Sequence, residues 1–280
     1  MSEPFELEWL GGPAERHFRR ARPETHDLPW GTIDVSEYPP SLVDAARRTW
    51  TQVAINEYRA VVAFSQVVGA MALARAPLDL VGMASDFLAD ECLHVELASR
   101  VTSELGGGAT ILVDMRKFVP ERRTGLSPLQ LANELVLEVS CVAEAFSGGT
   151  ALANQRVAAH PLTRAVFDTI LRDEARHRRL GALYFDWARE SIDDAERARL
   201  ADVAVRALDS ISVLWRFRPS VVVDGVTEQG WRIEDIHALG WLESSKMAPL
   251  AREVVRTEIL EPLDRLGIVV PAADRQRLLA

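Results

Sequence analysis

Two five-residue segments, Asp90-Glu91-Cys92-Leu93-His94 and Asp173-Glu174-Ala175-Arg176-His177, restrict what this chain can fold into more than any other feature. Each sets a Glu and a His three positions apart, which on a helix is one turn along one face. In both cases that face is otherwise apolar. Ala84, Phe87, Leu88, Val95 and Ala98 share it with the first pair, and Phe167, Ile170, Leu171, Gly181 and Tyr184 with the second. A carboxylate or an imidazolium enclosed without a partner costs roughly several kcal/mol. A cation coordinated by both side chains removes that cost, and two such segments on facing helices can grip two cations.

The surrounding pattern predicts an all-α chain. Four long helical segments are expected, over about 41–75, 78–105, 127–158 and 162–192. Ser41, with Asp44 behind it, is a plausible N-cap for the first. Ala76-Pro77 breaks that helix, and Gly106-Gly107-Gly108 stops the second, because glycine favours the left-handed turn that ends a helix. Ser127-Pro128 is a good start for the third, and His160-Pro161 ends it. Tight joints make helices one and two antiparallel neighbours, and likewise three and four. The longer link between the pairs crosses the length of a four-helix bundle. Pro77 and Pro161 are 84 residues apart and the two histidines 83, so one helical hairpin is used twice. Residues 1–40, with six prolines and no periodicity, read as an irregular arm. Residues 193–280 read as additional helices packed on the bundle, with a loop or short hairpin at 218–235.

A dinuclear site built from such motifs needs one further Glu from each remaining helix. The first helix offers Glu57 on its apolar face; the third offers Glu138 or Glu144. Ligands must share one height. Glu174 and His177 lie about 15 residues beyond the turn at His160, Glu144 lies 16 before it and Glu138 lies 22 before it. At about 1.5 Å per residue, Glu138 is roughly 9 Å too far along the axis, which favours Glu144. Asp90 and Asp173 are placed to accept hydrogen bonds from the histidine of the other motif, Asp90 from His177 and Asp173 from His94. The alternative is that both are solvated charges. Gly148-Gly149, one turn past Glu144, either leaves room beside the metals or allows close helix packing. Arg172, Arg176, Arg178 and Arg179 read as a solvated face, and the tryptophans as core or interface anchors.

Mixed carboxylate and imidazole donors without thiolate suit iron or manganese, with zinc also able to bind. Two iron ions are expected, with an Fe/Mn or di-manganese pair as alternatives. The net charge of −9 and pI near 5.3 disfavour nucleic acid as the main partner. Cys92 and Cys141 are too few for a disulfide framework and read as buried thiols. The N-terminus lacks the pattern of a signal peptide, and no stretch approaches a bilayer span, so a cytoplasmic protein without a membrane partner is expected.

With Glu57, Asp90-Glu91-x-x-His94, Glu144 and Asp173-Glu174-x-x-His177 in place, the chain resembles the ferritin-like di-iron carboxylate superfamily over about residues 45–185. The resemblance implies a ferritin-like four-helix bundle. It also implies a non-haem di-iron oxidase or oxygenase, in which dioxygen, a small-molecule substrate and an electron donor meet at the metals. The competing reading is an iron-handling or peroxide-detoxifying protein without an organic substrate. Ala98 stands where ribonucleotide reductase small subunits carry a radical tyrosine, and Ile170 where arylamine N-oxygenases carry an extra histidine, so neither of those activities is expected. The resemblance also allows a homodimer.

Overall fold

The computed structural model describes residues 2–119 and 124–280. Helices dominate. The four long ones are α2 (Pro40–Leu73), α3 (Leu78–Glu104), α4 (Pro128–Val157) and α5 (Pro161–Ala188), preceded by a short α1 (Gly12–Arg20). Helix α2 packs against α3 and α4, and α5 packs against the same two, which makes a four-cornered bundle. The crossover from α3 to α4 contains the strand Leu112–Val113, which pairs antiparallel with Glu3–Pro4 at the start of the chain. This is the ferritin-like arrangement expected from the joint lengths.

The start signals act in different ways. Ser127 caps α4 through a capping box with Gln130. Ser41 does not cap α2. That helix begins at Pro40, whose missing N–H suits the first helical position, and the Ser41 hydroxyl instead accepts a hydrogen bond from Trp231 Nε1 at 2.9 Å. Helix α4 is not α-helical throughout, because Leu137–Ala143 winds as a π segment immediately before Glu144. Such widened turns are frequent at functional sites.

Two expectations need correction here, and the structure decides one alternative. Residues 1–40 are not wholly irregular, since α1 forms behind Pro13 with Glu15 and Arg19 paired one turn apart at 2.8 Å. Helix α4 is long and apolar enough, by length and composition, to cross a bilayer, with a mean hydropathy of 1.4 over its best 18-residue window. Just over half of that window is buried in the bundle, so its apolarity serves the core. The glycines of α4 leave no open space, because a Cβ on Gly148 would meet Arg178 Cδ at 3.1 Å and one on Gly149 would meet Val254 Cγ1 at 2.6 Å.

After α5 come α6 (Asp194–Ile211), which lies on the π segment of α4, and a hairpin of Val222–Val223 with Val226–Thr227. Then follow α7 (Ile233–Ala238), α8 (Ser244–Val254) and α9 (Glu261–Arg265), with a second π turn between the last two. The chain ends in α10 (Ala272–Leu279). Trp50 and Trp215 are fully buried and donate to the carbonyls of Leu239 and Leu278, tying these outer elements to the bundle. Trp187, by contrast, is partly exposed.

The core divides in two along the bundle axis. One apolar cluster includes Phe64, Phe87, Val142, Leu180 and Tyr184, and another includes Trp50, Ala54, Leu97, Phe167 and Ile170. In sequence, Glu57, Glu91, Glu174 and His177 fall between these layers on their helices.

Candidate metal centre

Between the two layers, four glutamates and two histidines converge from α2, α3, α4 and α5. Donor atoms of Glu57, Glu91, His94 and Glu174 all lie within 4.8 Å of one another, and so do those of Glu91, Glu144, Glu174 and His177. The two groups overlap in Glu91 and Glu174. Each then adds one Glu and one His of its own, so the set has the symmetry of two adjacent cation positions sharing two carboxylates. Every one of the six sequence candidates falls in this cluster. Glu138, the alternative on α4, sits in the π segment and is in neither group.

Enclosure is nearly complete. Glu91, His94, Glu174 and His177 are at most 1% exposed, and the Glu57 side chain is 12% exposed. Phe87 lies against the His177 ring with centroids 4.2 Å apart, and Phe64 closes the same end at 5.5 Å. The two imidazole centroids are 6.0 Å apart.

Each ring is held from behind. His177 Nε2 lies 3.3 Å from Asp90 Oδ2, and His94 Nε2 lies 3.4 Å from Asp173 Oδ2. The N–H on that side donates to the aspartate and turns Nδ1 inward. His177 Nδ1 is 3.0 Å from Glu91 Oε1 and 3.3 Å from Glu144 Oε2, while His94 Nδ1 is 3.6 Å from Glu57 Oε2 and 3.7 Å from both Glu91 and Glu174. The aspartates are therefore not solvated charges. Nor is Arg176 part of a free solvated face, because its Nη2 contacts Asp173 at 2.7 Å and Asp90 at 3.0 Å, bridging α5 to α3. Arg22, from the segment after α1, also pairs with Asp90.

Sequence reasoning missed Arg22 and Arg176. The signal available was electrostatic. Six carboxylates at one depth outnumber any two divalent cations, so further positive side chains have to reach them.

The electrostatics follow from this crowding. Burial opposes charge on both imidazoles, but the surrounding carboxylates outweigh it. Asp173, Glu57 and Glu91 hold His94 well above its ordinary value, and Asp90, Glu144 and Glu91 push His177 up to about 12. Burial, with the charges of Glu144 and Glu91 behind it, raises the Glu174 carboxyl well above the usual range. Burial also acts upward on Asp173, but His94 and Arg176 pull it below its ordinary value. A cluster that must hold protons to tolerate its own charge is one that a cation can discharge.

The donor set fits a metal pair on a second count. Both oxygens of Glu91, Oε2 of Glu174 and Nδ1 of His94 are buried without a hydrogen-bond partner. Native interiors rarely leave such atoms unsatisfied. Here all four belong to the two overlapping donor groups. Charge agrees, since six carboxylates against the guanidiniums of Arg22 and Arg176 leave four negative charges, which two divalent cations would cancel.

Fold and site together define a ferritin-like bundle with a buried carboxylate and histidine cluster able to hold two metal ions. No protein-family model matches the chain, and no curated protein matches its sequence. Among solved structures, the chain is similar to "Protein 19 with aldehyde deformylating oxidase activity from Synechococcus". The TM-score is 0.57 at 17% identity, and the match covers 88% of this chain and 99% of that one. At that identity the likeness supports the fold.

Proposed function

We propose that this protein is a non-haem di-iron oxidase or oxygenase that uses dioxygen to oxidise a small organic substrate. The observation that carries the proposal is the pair of overlapping buried donor groups sharing Glu91 and Glu174. In this reading Glu57 and His94 complete the position on one side, Glu144 and His177 that on the other, and Asp90 and Asp173 orient the imidazoles. The metals, once bound, supply the redox chemistry with dioxygen. The protein's part is to fix the donors, to exclude water through Phe64 and Phe87, and to hold each histidine proton on Nε2 so that Nδ1 is free to ligate. An external electron donor is required for turnover, and the cytoplasm is the expected compartment.

An open groove of about 310 Å³ on the bundle offers a place for an organic compound, and none of its lining residues is a metal donor. It lies between the start of the chain and the α2–α3 pair, lined in part by Phe5, Thr51, Ala54, Ser99 and Thr102. Of its lining residues, Ala54 is one turn from Glu57 on α2. The volume is near the lower end of ligand pockets, and the lining mixes apolar groups with hydroxyls. The neighbour's aldehyde activity makes aldehydes the first compounds to try.

The test is anaerobic loading with two equivalents of ferrous iron, then addition of dioxygen and a chemical reductant with and without candidate aldehydes. Oxygen uptake that depends on the organic compound, with an oxidised product, is expected. Oxidation of ferrous iron alone, with mineral growth and no dependence on any organic compound, would instead establish iron handling.

A further inference from the structure

We propose that Arg22, delivered by the N-terminal arm, is a positioning residue of the metal centre that selectively supports the cation position at His177; this rests on the dinuclear reading above. Asp90 is fully buried and receives His177 Nε2, Arg176 and Arg22, whereas Asp173 receives His94 Nε2 and Arg176. The two histidines therefore have unequal supports. The guanidinium of Arg22 fixes the carboxylate that fixes the His177 ring, and it supplies one of the two side-chain charges needed for neutrality. Without Arg22, the buried Asp90 carboxylate would have only Arg176, itself half exposed, as an arginine partner beside the His177 ring.

The arm is built to bring Arg22 there. Helix α1 buries none of its residues, so apolar packing of the helix does not hold it. The arm beyond it is attached by Leu28, Trp30 and Ile33, which pack on the bundle core, and by ionic and aromatic contacts. Arg19 reaches the buried Glu96 of α3 at 2.5 Å, two turns from Asp90, and Arg100 of α3 lies over the ring of Trp30 at 3.9 Å. Two arginines three residues apart on the arm thus pair with two carboxylates of α3, Glu96 and Asp90. The arm closes the side of the bundle on which Asp90 meets His177.

The test compares Arg22→Met and Arg22→Lys with the wild type in the full chain, titrated with Mn(II) and read by electron paramagnetic resonance. The wild type is expected to show the signal of an interacting Mn pair. Arg22→Met, which keeps the stem and removes the charge, should weaken one of the two ions by about 10–100-fold, the usual effect of losing an outer-shell partner. The pair signal should give way to that of an isolated ion at intermediate loading. Arg22→Lys should recover most of the affinity. Arg22→Met binding both ions within twofold of the wild type overturns the proposal and leaves the dinuclear reading intact. Equal losses in Met and Lys variants, with the arm cut readily by protease in both, reduce Arg22 to a docking contact and overturn it too. A wild type that takes up no second ion removes the dinuclear reading itself.

Discussion

Loading the centre should expel protons, up to about three. The count comes from the cluster itself. Without cations, the surrounding carboxylates outweigh burial and favour the imidazolium forms of His94 and His177, the latter up to about 12, and burial with Glu144 and Glu91 favours the protonated Glu174 carboxyl. To ligate, each histidine must give up its Nδ1 proton and Glu174 its carboxyl proton. The free cluster binds more protons than the loaded one, so occupancy of the pair must strengthen as pH rises, by up to about a thousandfold per pH unit around neutrality. Stability runs the other way in the cation-free protein. Imidazoles whose folded values are raised stabilise the fold fully below their unfolded value of about 6.5 and lose that contribution as pH climbs toward about 12. The gap in Tm between loaded and cation-free protein should therefore widen from pH 7 to 9. Isothermal titration with Mn(II) in buffers of different ionisation enthalpy gives the proton count from the slope. A slope of zero, with an affinity independent of pH, would refute the assignment of these protons to the donor cluster.

Substituting a shared carboxylate should differ from substituting an unshared one: Glu91→Ala or Glu174→Ala should cost both ions, and Glu57→Ala or Glu144→Ala one, as read by metal analysis after desalting. A Cβ on Gly181 would fall 2.5 Å from Cys141 Sγ, so Gly181→Ala should destabilise by about 1–3 kcal/mol in urea unfolding, with Cys141→Ala restoring part of the loss in a double-mutant cycle. Tyr184 donates to Asn133 Oδ1 at 2.9 Å in a buried network with Glu196, so Tyr184→Phe should cost about 1–3 kcal/mol by orphaning that acceptor while leaving metal content unchanged.

What was legible in the sequence is what helical periodicity can carry. Glu57, Glu91, His94, Glu174 and His177 all stand in apolar stripes with a period of three and four, and the stops at Pro77, Gly106 and Pro161 act locally on the backbone. The joint lengths then leave few ways to arrange four rods, so the bundle follows. The position of Glu144 was within reach because a rise per residue converts sequence distance into height. The π segment before it was not, since its wider hydrogen-bonding register depends on how α6 and Gly181 press against that stretch, and none of that is encoded in the stripe. Gly148 and Gly149 left room and close packing both open for the same reason, because an absent side chain does not say what comes close. Here the close neighbours are Arg178 and Val254, remote in sequence.

The arm fails to register on different grounds. Helix α1 has a Pro behind its start and an i,i+4 pair in Glu15 and Arg19, so its existence could have been inferred from local rules. Its destination could not, because an element that buries no apolar face leaves no periodic trace of what it packs against. The only trace is charge. An interior holding six carboxylates requires four positive charges beyond those of its own arginine partners, and two divalent ions supply that number only when both Arg22 and Arg176 are present. Neutrality thus links Arg22, just past a helix that buries no residue, to the chemistry at the centre of the bundle. It also gives a chain with a net charge of −9 a reason to send Arg22 to a carboxylate buried in α3.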